Sequence, residues 1–447
     1  MKKLFLLFSM CLLLVTSCKK ETVDVTDLLK TVPSSAAGVM VFDMEAILSD
    51  ADCKVKDHQI MPGKEIKSLI DKASSPTAKE WLMLFENSNG VEPKGAVLFY
   101  DSKRVFLTFA LYDEKQFCDF VEKKTGLQFA SQDAGVKICG NVAVKGEQAW
   151  ICLTAGKKID ADAIASYYSL ATQQSFLVTE MGEKLLVEEN DVRGWALLDT
   201  FTQQILDRSQ RNLFSMVSSF LFENPQSIEF KVDFKKGELE AEAIILNEKG
   251  KPAKYQLPAE KVNVEALKTL GANGCDAMMA FTINSKLVKK LAKVGNAIGG
   301  ALFGDLEGVF QNVDGTVGLV TSGQGIANSL NGFITTKGEL SKTLKDMVSE
   351  NVGPVSMDGK LVRFSKGDVK GALSVEECAE ELKGCCLGII WNDSFMKDTN
   401  FTAYSPSGFA SYCLKFKPES GGLELDFEAK TSNPSQNSLI TILNSSL

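Results

Sequence analysis

Ser227-Ile228-Glu229-Phe230-Lys231-Val232-Asp233-Phe234, followed after Lys236-Gly237 by Leu239-Glu240-Ala241-Glu242-Ala243, is the stretch that decides the fold class. Successive side chains of a strand point to opposite sides, so Ile228, Phe230, Val232 and Phe234 share one face. Glu229, Lys231 and Asp233 share the other, which predicts an antiparallel hairpin with one buried and one wet face. The pattern recurs near the end of the chain, with Tyr412, Leu414 and Phe416 on one face, a turn at Gly421-Gly422, then Leu423-Glu424-Leu425-Asp426-Phe427.

Upstream of each hairpin the order of elements also repeats. Val32-Pro33-Ser34-Ser35-Ala36-Ala37-Gly38 leads into Val39-Met40-Val41-Phe42-Asp43 and a short helix to Leu48. Leu270-Gly271-Ala272-Asn273-Gly274 leads into Cys275 to Phe281 and a helix to Leu291. A strand pair follows in each half, Gly95–Tyr100 with Val105–Tyr112 and Gly315–Thr321 with Gly332–Thr336. Next comes an amphipathic helix, Asp113–Thr125 with Phe117, Phe120 and Val121 on its apolar side, and Gly338–Glu350 with Leu340, Leu344, Met347 and Val348. The offset between halves shrinks from 240 (Met40 to Ala280) to 184 (Leu239 to Leu423), so the second lacks about 56 residues. Much of that deficit falls in 159–221, where Phe201, Ile205, Leu213, Val217 and Phe220 give extra helical pattern. The expected fold class is α+β, with two related domains, each a mainly antiparallel sheet packed by helices: 32–248 and a shorter 263–447. Gly250, Pro252 and Pro258 punctuate the join.

The N-terminus reads as an address. Lys2 and Lys3 precede an apolar run from Leu4 to Val15, too short to span a bilayer as a helix, so 1–17 reads as a signal peptide. The run ends in Val15-Thr16-Ser17-Cys18, which resembles the lipobox of bacterial lipoproteins. That resemblance implies diacylglycerol on the Cys18 sulfur, cleavage before Cys18 and acylation, with palmitate for example, of the new amino group. Residues 18–31 would then form a lipidated tether, and the membrane would be reached through the lipid anchor. Lys19-Lys20-Glu21 stands where surface-exported Bacteroidetes lipoproteins carry an acidic cluster, so an outer-membrane location is expected with the periplasmic or surface face left open.

Loss of Lys2 and Lys3 takes the formal charge from −8 to −10, an acidic balance that argues against nucleic acid as a partner. Of 11 cysteines, Cys11 leaves with the signal peptide and Cys18 is the lipid site, leaving nine with no CxxC pair, so zinc-ribbon and thioredoxin chemistry fail on spacing. Most lie in apolar stretches and read as buried free thiols; Cys385-Cys386 reads as part of a buried strand rather than a vicinal disulfide. His58 is the only histidine and sits in a polar segment, a solvated loop residue by that context, so no Ser-His-Asp, HExxH or multi-histidine metal site is expected.

Three further patterns carry candidate chemistry. Thr321-Ser322-Gly323-Gln324-Gly325-Ile326-Ala327-Asn328 looks like a phosphate-binding glycine turn, but Asn328 replaces the third glycine and no Gly-Lys-Ser follows; a loop between strands is the better reading. Gly295, Gly299, Gly300, Gly304 and Gly308 make a smooth helical stripe suited to a close helix contact or an apolar ligand. The carboxylate pairs Glu188-Glu189, Asp160/Asp162, Glu376-Glu377 and Glu380-Glu381 lie in polar surroundings and read as solvated faces.

Pro33-x-x-Ala36-x-x-Val39 with Asp43 and Leu48, the lipobox ahead of it and the two-copy body together resemble a family of uncharacterised Bacteroidetes lipoproteins. The resemblance implies the lipoprotein and fold readings and transfers no activity. The expected function is that of an envelope-anchored, non-enzymatic binding or scaffold protein with an envelope protein as partner. No catalytic residue, metal or cofactor is expected, and no ligand-binding residue is assigned. The alternatives are a carrier for an apolar ligand such as a lipid, and a carboxylate-based hydrolase.

Overall fold

The computed structural model describes residues 24–72, 89–101, 104–154, 156–205, 208–256, 260–271, 273–290, 306–323, 328–398, 408–419 and 421–445. By their contacts they form two compact units, the first from Met1–Phe214, Gln226–Ala241 and Pro434–Leu447, the second from Ser215–Pro225 and Glu242–Asn433. Segment 434–447 therefore packs with the first unit, where the contiguous range 263–447 had placed it with the second.

The first unit begins with helix Val25–Lys30, capped by Asp24, whose Oδ1 accepts the Asp27 N–H at 3.1 Å. Its strands are β1 Gly38–Asp43, β2 Lys54–Lys56, β3 Gln59–Met61, β4 Val91–Asp101, β5 Arg104–Leu111, β6 Ala130–Ser131, β7 Lys137–Cys139, β8 Val142–Lys145, β9 Gln148–Cys152, β10 Val192–Leu197 and β11 Pro225–Phe234, and β12 Glu238–Asn247 follows. Apart from the small hairpin β2–β3, β6 to β11 and the strands between them pair antiparallel in the order β6-β7-β8-β9-β5-β4-β1-β10-β11. Both faces are buried. Val39, Val41, Phe99, Phe106 and Trp150 pack on one side, Phe42, Leu107, Phe109 and Phe117 on the other. This two-sided burial explains why Phe106–Leu111 is buried at every position instead of at alternate ones.

The second unit has β13 Ala277–Ile283, β14 Val313–Thr321, β15 Leu330–Thr336, β16 Val355–Asp358, β17 Leu361–Lys366, β18 Leu387–Asn392, β19 Phe409–Glu419 and β20 Gly422–Thr431. Their order is β16-β17-β15-β14-β13-β18-β19-β20, all antiparallel. With β13 in the place of β1 and β18, β19 in the places of β10, β11, the neighbours around the central strand match those of the first unit. The helix caps follow the same order. Asn263 caps Val264–Lys268 as Asp24 caps Val25–Lys30, and Asn284 accepts the Leu287 N–H after β13 as Asp43 accepts the Ala46 N–H after β1. Ser374 caps Val375–Glu381 ahead of β18 as Thr179 caps Glu180–Val187 ahead of β10.

Two expectations need correction. The amphipathic helix of the second unit runs Lys342–Asn351, because Ser341 caps it, and Met347 is 50% exposed instead of facing the core. The polar face of the closing hairpin is not wet. In β11, Glu229 is buried under helix Glu180–Val187, whose Lys184 Nζ lies 2.5 Å from its carboxylate, while Lys231 reaches Glu188 at 3.0 Å. In β19, Lys415 is buried under helix Val375–Glu381 and bonds Glu381 Oε1 at 3.1 Å and Glu428 of β20. The alternation sets the two faces correctly, but a helix covers the polar one and its charges are answered by ion pairs.

Candidate functional site

Three aspartates of the first unit, distant in sequence, are brought together by the fold. Asp50 ends helix Met44–Asp50, Asp191 ends the turn before β10, and Asp233 lies near the end of β11. The Asp191 N–H donates to Asp233 Oδ1 at 3.2 Å, Asn190 Nδ2 donates to Asp233 Oδ2 at 2.8 Å, and the Phe234 N–H donates to Asp191 Oδ2 at 2.6 Å. The Asp191 carbonyl accepts the Asp43 N–H at 2.9 Å, which ties the turn to β1. Burial pushes the Asp191 carboxyl up most; the Phe234 amide opposes this, and the nearby Asp50 and Asp233 charges and the hydrogen bond with Asp50 add to it, to about 7. Burial raises Asp50 as well, with its hydrogen bond to Asp191 acting against the rise. Two carboxyl groups in contact out of water hold one proton between them. Arg193 stands beside the cluster, its guanidinium bonded to the Leu185 carbonyl and to Asn190 O at 2.9 Å, and so clamps the end of helix Glu180–Val187 to β10. Below about pH 7 the cluster holds a proton inside the fold. A general acid would also need a substrate within hydrogen-bond reach, and Asp191 is buried.

The residues singled out in the sequence fall elsewhere. Cys18, the expected lipid site, lies outside the described residues, as do Gly295–Gly304 of the glycine stripe and 324–327 of the glycine turn. The described start of that turn is satisfied from within, since the Gly323 N–H donates to Asp276 Oδ2 at 2.7 Å and the Ser322 N–H to Ser329 Oγ at 3.1 Å. Asp276 also accepts Asn392 Nδ2 at 2.6 Å and the Ala372 N–H at 3.2 Å, so amides that a phosphate would use serve a carboxylate of the chain itself. The expected carboxylate pairs do not meet across a cleft. Asp160 caps helix Ala161–Tyr168, Glu376 and Glu377 lie in the first turn of theirs, and Glu380 and Glu381 pair with Lys268 at 2.5 Å and Lys430 at 2.9 Å.

His58 is not a solvated loop residue. The turn between β2 and β3 places Asp57 and His58 at positive φ, +47° and +69°, and folds the imidazole back onto Tyr112, with ring centroids 5.4 Å apart, and onto Glu92 Oε2, 3.1 Å from Nδ1. Burial lowers the His58 pKa to about 4, which leaves the imidazole neutral at pH 7, and raises that of Glu92. The described cysteines are free thiols. Cys385 Sγ donates to the Leu382 carbonyl at 3.0 Å and Cys386 Sγ to Phe416 O at 3.4 Å, into separate apolar clusters. Burial pushes Cys385 up to about 12 and Cys386 to about 11, which makes both poor nucleophiles.

The described surface includes the following concavities. One, of about 260 Å³, lies between helix Lys64–Lys72 and helix Ser438–Ser445 and is lined by Lys64, Glu65, Lys72, Gln436, Ile440 and Asn444. Another, of about 200 Å³, is lined by Glu223, Asn224, Asn247, Glu248, Lys249 and Lys254. Both are open to solvent, and most of the residues that line them carry polar side chains. Among the described residues no three His, Cys, Asp or Glu side chains are placed to hold a metal ion, and no helix is long and apolar enough to cross a membrane.

No family model matches the chain, and no curated protein matches it. Among solved structures it is similar to crystal forms III, I and IV of TP0453, a Treponema lipoprotein. Identities are 9%, 9% and 8% and TM-scores 0.30, 0.29 and 0.31, over 79%, 81% and 79% of this chain and 96%, 97% and 95% of the other. Likeness at that level supports no conclusion about fold or function.

Proposed function

We propose that the protein is an envelope lipoprotein of the outer membrane, anchored through Cys18, and that it works as a binding or scaffold protein and not as an enzyme. The observation that carries the reading is Val15-Thr16-Ser17-Cys18 directly after a charged n-region and a short apolar run. The internal aspartate cluster and the ion-paired carboxylates support the non-enzymatic part, since each has a structural task. We also infer that the two units descend from one duplicated unit, as their matched strand order and helix caps suggest, within the Bacteroidetes lipoprotein family that the opening pattern resembles.

The test is the mass of the mature N-terminal peptide from membrane-purified protein, together with labelling by radioactive palmitate. A diacylglyceryl and acyl modification on Cys18, lost along with membrane retention in Cys18→Ser, is the expected result. An unmodified N-terminus in the mature protein would refute the anchor.

A further inference from the structure

We propose that one end of the first unit, the end carrying the β2–β3 hairpin and the turn after helix Glu180–Val187, rests on the bilayer surface. The inference builds on the proposed Cys18 anchor and adds an orientation to it.

The argument starts from chain length. From Cys18 to Asp24 there are six peptide steps, which reach about 20 Å at full extension. Asp24 is already fixed to the fold as the cap of helix Val25–Lys30, whose Leu28 and Leu29 are buried. Whatever surface surrounds the start of that helix is therefore held close to the membrane.

The strand register identifies that surface. Val25 lies directly over Gly95, where an added Cβ would overlap its Cγ2. Gly95 pairs with Asp43 at the end of β1, and Asp43 N–H bonds the Asp191 carbonyl. Val187, four residues before Asp191, is 75% exposed. On the neighbouring side, Glu92 lies on β4 three residues before Gly95 and holds His58 at the tip of the β2–β3 hairpin. Met61 of that hairpin is 45% exposed, and Val55 is exposed beside it. The chain thus enters at the end of the sheet that presents Val187, Met61 and Val55 to the outside.

Exposed apolar side chains alone would not choose this end, because the opposite end has one too. Leu197, 39% exposed, follows Ala196, which pairs with Gly38 at the far end of β1. The two ends are separated by the length of β1, about 17 Å. Asp24 is fixed at the first end, which is therefore nearer the anchor by that distance.

Charge sets the kind of membrane. Lys54, Lys56 and Lys94 are exposed at the entry end, but so are Asp52, Asp57 and Glu189. The mixture gives no strong preference for anionic headgroups, so the surface suits zwitterionic phosphatidylethanolamine and phosphatidylcholine. A few apolar side chains bind a free protein weakly. On an anchored chain the same contacts act at high effective concentration and fix orientation.

The experiment uses the full-length lipidated protein, purified from its membrane and reconstituted in phosphatidylethanolamine–phosphatidylcholine vesicles with nitroxide-bearing lipid. Val187→Cys and Met61→Cys are labelled with an environment-sensitive dye, as is Leu197→Cys, with the wild-type chain as thiol background. Emission at 187 and 61 should fall by roughly half while 197 keeps its own, as for groups seated in the headgroup region or clear of it. Equal emission at all three sites, or quenching at 197 alone, would overturn the orientation. So would dye at 187 and 61 that is shielded without lipid quenching and crosslinks to a second copy, which would assign the surface to self-association. Peptide mass from the same sample separates the two failures: lipidated Cys18 without quenching removes only the orientation, whereas unmodified Cys18 removes the anchor and the orientation with it.

Discussion

Each unit buries a cluster of carboxyl groups, and the two clusters are neutralised by different means. In the first, Asp50 and Asp191 share a proton beside Asp233, with backbone amides supplying the remaining hydrogen bonds. In the second, Lys415 sits among Glu381, Glu428 and Lys430, so each charge has a counter-charge. Burial opposes the Lys415 ammonium, yet the hydrogen bond and charge of Glu428 outweigh it and hold the ammonium above the ordinary lysine range. Burial alone would raise Glu381, but hydrogen bonds from Lys430, Glu428 and Lys415 carry it down to about 2. A related architecture therefore does not imply related electrostatics. What is common is the need to satisfy buried polar groups, and each sequence meets it with whatever residues it has.

The comparison is broken most strongly at Lys415. Lys415→Met should cost about 3–5 kcal/mol in chemical denaturation, because removing one partner leaves the other charge buried and uncompensated. A loss below about 1 kcal/mol, the size expected of a surface pair, would mean that Lys415 is solvated and the contrast is false.

Asp191 gives the next effect, with a pH signature. Unfolded aspartates ionise near pH 4, whereas Asp191 in the fold ionises near 7, so between those values the folded chain holds a proton that the unfolded chain has lost. Stability should then fall as pH rises through that window, by about 1.4 kcal/mol per unit at most, and level off above it. Asp191→Asn keeps an oxygen for the Phe234 amide and a donor for Asp50, and should flatten the slope and add roughly 2–4 kcal/mol at pH 8. Glu381 carries the opposite sign: its contribution is complete above the ordinary glutamate pKa and is lost as pH falls toward 2. Denaturation profiles of wild type and D191N from pH 3 to 9 check both; parallel curves would show that the aspartates share no proton.

Much of this fold is legible in the sequence because its signals are local. Alternation in Ile228–Phe234 fixes the hairpin and its two faces, and Asp113 ahead of Phe117 and Val121 marks the start of a helix that does run Glu114–Thr125. The covering helices are not legible in the same way. Glu229 looks solvent-facing until Lys184 arrives from 45 residues away, and only the fold brings them together. Asp50, Asp191 and Asp233 likewise sit in three separated polar stretches, with no spacing to announce a cluster. His58 was misread because its flanking residues are polar, whereas its partners Glu92 and Tyr112 come from other elements. Polarity of the neighbours in sequence reports where a strand or loop starts. It does not report what lies above it.

The smallest test asks whether the two amphipathic helices are equivalent. Asp113 Oδ1 accepts the Gln116 N–H at 2.9 Å, and Ser341 Oγ accepts the Leu344 N–H at 3.2 Å, so each cap satisfies one otherwise orphaned amide. Replacing either by alanine should cost about 1 kcal/mol. The chemistry predicts an inequality within that figure. Asp113 adds a negative charge at the positive end of the helix dipole, a contribution that salt screens. Ser341 instead donates its hydroxyl to the Val309 carbonyl at 2.7 Å, a bond that salt leaves intact. The cost of Asp113→Ala should therefore shrink between low and high salt while that of Ser341→Ala stays constant. If both respond alike, the caps work through backbone geometry alone, and the two helices are equivalent in energy as well as in position.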